Sequence, residues 1–179
     1  GASVGKIFGM RQAMKSGVGT ASIDLGGGLV IGAIIATNAF GDVIDPQTGK
    51  IIAGARTIDK SAQPPFLDTL ETMKSLLGKT VLHFSSQHNT VIGVVATNAR
   101  LNKEEANKVA QMAHNGLART IRPAHTMFDG DTLFALATGK KKADVNLIGA
   151  YAAECVEKAI LRSVQMASPV AGLPAAKDA

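Results

Sequence analysis

A layered α/β sandwich, with helices outside packed sheets, is the fold class this chain of 179 residues predicts, and three observations carry it. Leu29 to Asn38 and Thr90 to Ala96 are nearly continuous apolar runs of strand length, and such strands need cover on both faces. The segments opening at Asn102 and Asp144 repeat apolar residues at helical spacing behind capping residues. Strand and helix signals also come in blocks, which suits helices laid over packed sheets. With 46% hydrophobic residues the chain can bury a full core within the size of one domain.

The elements follow in order. Gly26-Gly27-Gly28 forms a turn before the strand from Leu29, and Gly41 follows its end. Asp42-Val43-Ile44 and Lys50-Ile51-Ile52-Ala53 flank the turn signal Asp45-Pro46-Gln47-Thr48-Gly49, a hairpin. Arg56 to Pro65 reads as a polar loop. Phe66, Leu67, Leu70, Met73, Leu76 and Leu77 then recur at helical spacing until Gly78 stops them. The polar stretch Ser85 to Asn89 leads into the strand from Thr90. Asn102 with Glu105 makes a capping box for a helix whose inward stripe is Ala106, Val109, Met112, Ala113 and Leu117. Asp129-Gly130-Asp131 precedes a strand over Thr132 to Thr138, and a last helix runs from its cap at Asp144 to about Met166. No internal repeat is present, although Ile34 to Asn38 echoes Val94 to Asn98.

Composition narrows the function. The longest apolar run, Leu29 to Ala36, is far short of the ~20 residues a membrane span needs, and no signal-peptide succession opens the chain. Cys155 is the single cysteine, so no intramolecular disulfide forms; a reducing compartment and a cytoplasmic location are expected. Its neighbours Ala152, Val156 and Ala159 make it a small core residue. The net charge of +5 raises nucleic acid as a partner. The basic residues are scattered, however, with Lys140-Lys141-Lys142 the one concentrated run, and one Tyr and no Trp leave few stacking platforms. Neither a nucleic acid nor a membrane is expected as a partner, and the lysines are assigned to solvated surface.

Two motifs are set aside. Gly78-Lys79-Thr80 resembles the end of a phosphate-binding loop, but the required first glycine would fall at Met73 and a helix stands where a strand should. The histidines His83, His88, His114 and His125 show no metal-ligand spacing, and one cysteine makes no zinc framework; no metal or other cofactor is implied.

The remaining motifs carry chemistry. In Asn89-Thr90 a small amide residue precedes a threonine at the head of an apolar strand. Cleavage of that bond would place the Thr90 hydroxyl beside its own free α-amine, the general base a weakly acidic alcohol needs. The pair also suits an ordinary strand start. Asp129 and Asp131 are either a polar turn with its cap or two carboxylates on one side of a strand entrance, where repulsion raises the proton affinity of one. Lys6, within Gly5-Lys6-Ile7-Phe8-Gly9, is either a loop lysine or one that glycines let the backbone approach closely. Asn38 either ends its strand in a turn or holds an amide donor rigidly there.

Taken together, these pieces resemble the P1 family of peptidases, which includes L-aminopeptidase/D-Ala-esterase, the β-peptidyl aminopeptidases and the 6-aminohexanoate-oligomer (nylon oligomer) endohydrolase. The matching text includes Ser3 to Lys6, Lys15 to Ser22, Val30 to Ala33, Ala36-Thr37-Asn38 and Asn89 to Thr97. It continues through Ala113 to Arg119, Ile121 to Thr126 and Phe128 to Thr132, so it covers the chain from residue 1 to about 166. The resemblance implies an αββα four-layer sandwich of the N-terminal-nucleophile type and a precursor that cleaves itself before a Ser or Thr. Residues 1–89 would then be the C-terminal part of an α subunit and 90–179 a β subunit beginning with the nucleophile. Both would form one domain, and further α-subunit sequence is expected ahead of Gly1. It also implies roles: Thr90 as nucleophile, Asn38 as oxyanion donor, Lys6 as the group that keeps the amine unprotonated, and Asp129 and Asp131 as orienters of the Thr90 amine and hydroxyl. Thr with Asp-Gly-Asp looks most like the nylon-oligomer branch, with a small amide or peptide oligomer as substrate and a homotetramer of αβ units as assembly. The alternatives are an aminopeptidase of the β-peptidyl or L-aminopeptidase/D-Ala-esterase type and an ornithine-acetyltransferase-like acyl transferase.

Overall fold

The structure, a computed structural model, describes residues 1–59, 61–62, 65–75 and 89–178. Its principal sheet has four strands in the order β3-β4-β7-β9, where β3 is Val18–Asp24, β4 Val30–Asn38, β7 Thr90–Ala99 and β9 Thr132–Lys141. A hairpin joins β3 to β4 through Gly26, Gly27 and Gly28, all with positive φ, which glycine adopts without steric cost. β7 lies antiparallel to β4 with Thr90 opposite Asn38, and β9 lies parallel to β7.

Two helices, α2 (Lys103–Thr120) and α3 (Val145–Gln165), cover one face of this sheet. Alternation sends Ile31 and Ile35 of β4, Val91 and Val95 of β7 and Leu133 of β9 inward, all buried. They share a core with Val109, Ala113 and Leu117 of α2 and with Ile148, Ala152, Val156 and Ile160 of α3. Backbone approach is close: a Cβ on Gly116 would stand 2.0 Å from the Ala153 carbonyl oxygen, and one on Gly19 would stand 1.9 Å from that of Ala159. The opposite face has no cover among the described residues, leaving Ile34 50%, Phe134 53% and Leu136 58% exposed.

Two smaller sheets flank this pair of layers. β1 (Ser3–Val4) pairs with β2 (Met14–Lys15), and β5 (Asp42–Ile44) lies between β6 (Ile51–Ala53) and β8 (Ile121–Arg122). The segment after β1 is tied to the end of β4, Gly5 N–H donating to the Gly41 carbonyl and Lys6 N–H to that of Phe40, each at 2.9 Å. Asp42 is fully buried and accepts from Ala55 N–H at 2.9 Å and from the N–H and hydroxyl of Thr69 at 2.7 and 2.8 Å. Burial nevertheless outweighs those donors and raises its carboxyl to about 6.

Most expectations are met. The hairpin forms as read, Asn102 and Glu105 make a reciprocal capping box, and Asp144 caps α3, whose last turn closes at Met166. Cys155 is buried, its thiol donating to the Ala21 carbonyl. The helix expected from Phe66 is shorter: α1 spans Thr69–Lys74 behind the cap Asp68 and ends at Ser75. The rest of that stripe, Leu76 and Leu77, lies outside the described residues together with Gly78-Lys79-Thr80, His83 and the polar stretch Ser85 to His88. Strand β3 was not anticipated, because Val18-Gly19-Thr20-Ala21-Ser22 is small and mildly polar. The helix backbone lying over Gly19 is the reason for the glycine there. Lys140, Lys141 and Lys142 are exposed as read, and Lys141 also donates to the Gly27 carbonyl at 2.9 Å.

Candidate active site

The strand β7 starts at a carbonyl held from two sides. Thr90 Oγ donates to the Asn89 carbonyl oxygen at 2.6 Å, and Gly130 N–H donates to the same oxygen at 2.8 Å. Asn89 is buried, and both its backbone N–H and its side-chain amide donate to the Phe128 carbonyl at 3.2 Å. The Gly130 N–H polarises this carbonyl toward attack at its carbon, and the Thr90 hydroxyl stands beside it. Gly130 makes room for this, since a Cβ there would stand 3.1 Å from Thr90 Oγ.

Asn38 and Thr90 are register partners on the open sheet face, each following or preceding a buried neighbour, Thr37 and Val91. Lys6 is 5% exposed, and its amine donates to Asn38 Oδ1 at 2.7 Å, an oxygen that also receives Ser3 N–H at 3.3 Å. Two donors on the oxygen orient the amide and leave its NH2 edge as the donor Asn38 has to offer. Burial lowers the Lys6 amine to about 8, with the Asp129 charge acting in the opposite direction. Near that pH a large fraction is neutral and can accept a proton.

The carboxylates are placed differently from the expectation that they orient the Thr90 hydroxyl, which is bonded to the Asn89 carbonyl instead. Asp129 accepts from Phe40 N–H at 3.1 Å, from the Thr126 hydroxyl at 2.6 Å and from Thr126 N–H at 3.3 Å. It thus ties the end of β4 to the loop that carries Gly130. Asp131 accepts from Val91 N–H at 2.9 Å, one residue beyond Thr90. Its other oxygen faces His125, whose N–H lies at 3.3 Å and whose Nδ1 lies at 3.1 Å. The rings of His125 and His114 stand 5.0 Å apart. Burial lowers the His114 pKa first, repulsion from His125 adds to that, and Asp131 opposes it.

The fold brings Lys6, Asn38, Thr90, Asp129 and Asp131 to one end of the principal sheet, from four separate stretches of chain. His125 joins them without having been singled out in the sequence. The stretch between it and Asp131 is a turn and not a regular element, so the turn alone reveals the pairing. Among the described residues no group of three or more His, Cys, Asp or Glu could hold a metal ion.

Two helices laid on one face of a mixed four-stranded sheet make a layered α/β fold, and this layering is shared with solved structures of the N-terminal-nucleophile hydrolase fold. The L-aminopeptidase D-Ala-esterase/amidase of Ochrobactrum anthropi, a structure of that fold, is similar with a TM-score of 0.57 at 19% identity, over 90% of this chain and 43% of that one. The chain belongs to peptidase family S58, whose family model matches residues 1–177. An uncharacterised aminopeptidase from Mycobacterium tuberculosis is 39% identical over 181 residues, covering 93% of this chain and 52% of that protein. The 6-aminohexanoate-oligomer endohydrolase of Paenarthrobacter ureafaciens is 28% identical over 176 residues, covering 90% of this chain and 48% of that protein. The chain therefore spans about half the length of the curated relatives it matches. The family reading from sequence is borne out, and the fold reading with it; in the described residues one helix layer lies on one principal sheet.

Proposed function

We propose that this chain is the self-processing part of an amide hydrolase in which Thr90 cuts the bond before itself and then serves as the nucleophile. The observation that carries the reading is the Asn89 carbonyl gripped by both Thr90 Oγ and Gly130 N–H. In self-processing Thr90 Oγ bonds to the Asn89 carbonyl carbon and gives up its proton, and the Asn89–Thr90 C–N bond breaks with the nitrogen taking a proton. Water then hydrolyses the resulting ester, leaving a carboxylate on Asn89 and a free amine on Thr90. Residues 1–89 and 90–179 become the α and β portions of one folded unit. In turnover the same hydroxyl attacks a substrate amide, Asn38 donates to the developing oxyanion, and the neutral Lys6 amine takes up a proton. Asp129 and Asp131 hold the loop and the strand in place around these groups.

Two substrate readings follow from two observations. The higher identity to an aminopeptidase favours a peptide-like amide with a free amine beside the scissile bond. The Thr90 nucleophile with Asp129-Gly130-Asp131 favours internal amides of 6-aminohexanoate oligomers, as in the relative at 28% identity. A homotetramer of αβ units is the assembly the resemblance suggests for either. Parallel assays on aminoacyl amides, their N-acetylated forms and linear 6-aminohexanoate oligomers, with Thr90→Ala as control, separate them. Loss of turnover on N-acetylation supports the aminopeptidase, and retention with oligomer cleavage supports the endohydrolase. Acyl transfer that depends on an added amine supports a transferase of the ornithine-acetyltransferase kind. Equal turnover by Thr90→Ala would overturn the nucleophile itself.

A further inference from the structure

We infer that His125 is a positioning residue for Thr90, acting through Asp131. The inference rests on the reading of Thr90 as nucleophile for its catalytic consequence, but its geometry stands independently. The Asp131 side chain is buried, 4% exposed, and one oxygen of its carboxylate fixes Val91 N–H, the peptide that joins Thr90 to the rest of β7. The other oxygen faces two nitrogens of a single residue, His125 N and Nδ1. His125 achieves this two-pronged grip only because its backbone lies in the left-handed region, at φ 54°, a conformation that costs most residues about 1 kcal/mol or more. The half-exposed ring of His125 packs against His114. The chain of contacts His125 to Asp131 to Val91 ends one peptide bond from the Thr90 hydroxyl. Asp131 carries the restraint, and His125 determines where Asp131 stands.

A substitution series separates this role from a passive turn. His125→Asn keeps a donor near the Nδ1 position and tolerates the left-handed backbone, as Asn commonly does. His125→Gly keeps the backbone and removes the ring. The expected result is a kcat about 10-fold or more lower in H125G with KM within about 2-fold, and recovery to within about 3-fold of the parent in H125N. Hydrogen exchange at the Val91 amide, measured in a Thr90→Ala background, should be at least about 10-fold faster with H125G than without it. That readout needs no activity, so the positioning claim and the nucleophile claim can fail separately. H125D accepts the same backbone but sets a carboxylate against Asp131, and it stands in where H125G does not fold, with a loss at least as large. Unchanged Val91 exchange in folded H125G or H125D, or equal kcat in parent and H125G, would overturn the inference.

Discussion

The two faces of the principal sheet are built from the same strands, yet they meet opposite fates. Ile31, Ile35, Val91, Val95 and Leu133 vanish beneath α2 and α3. Ile34, Ile92 and Phe134, from the same three strands, stand half exposed. One-residue alternation decides which is which, because a strand's side chains change face at every step. The covered face gives stability; the open face gives position, since Asn38 and Thr90 sit at its end while their neighbours Thr37 and Val91 are anchored in the core. A hydroxyl so placed is reachable from one side and anchored from the other.

Substitutions can break this contrast, starting with the largest effect. Thr90→Ala removes the hydroxyl on the open face and should lower amide turnover more than about 1,000-fold with the fold intact, as read by circular dichroism. Asn38→Ala should lower kcat by about 100- to 1,000-fold with KM little changed, as expected when an oxyanion donor is lost. On the covered face, Ile35→Ala should cost about 3 kcal/mol in urea unfolding and leave chemistry alone. Ile34→Ala, one residue away, should cost less than about 1 kcal/mol in this chain. Its cost should approach that of Ile35→Ala in any longer chain that lays a second sheet on the open face.

Lys6 sharpens the comparison through pH. Its amine accepts a proton only when neutral, so kcat/KM should rise with pH and level off above about 8, and Lys6→Met should erase that limb. Stability has its own sign. The unfolded chain keeps this proton up to 10.5 while the folded chain releases it near 8, so the unfolded state binds more protons between those values. Stability therefore rises with pH across that window, and the rise disappears in Lys6→Met.

Legibility in the sequence followed burial. β4 and β7 announced themselves because both of their faces are apolar, and α2 and α3 because each carries a stripe and a cap. β3 was hidden by Gly19, whose missing side chain serves a helix more than a hundred residues further on. Among the site residues, Thr90 and Asn38 were visible as the polar ends of apolar strands, while their opposition is a fact of register that strand pairing alone reveals. Lys6 was visible only as a lysine among glycines, and its burial depends on the tie between the chain's first residues and the end of β4. His125 lay within the matching stretch Ile121 to Thr126 but gave no sign of its partner, because the left-handed turn that aims it at Asp131 is set by the loop as a whole.

The most direct test of the central claim is intact-mass spectrometry of the purified protein under denaturing conditions, beside Thr90→Ala. Self-processing at Thr90 gives two fragments in the parent meeting between Asn89 and Thr90, and one uncut chain in the variant. A folded parent that remains a single chain, or a variant that cleaves at the same bond, would contradict it.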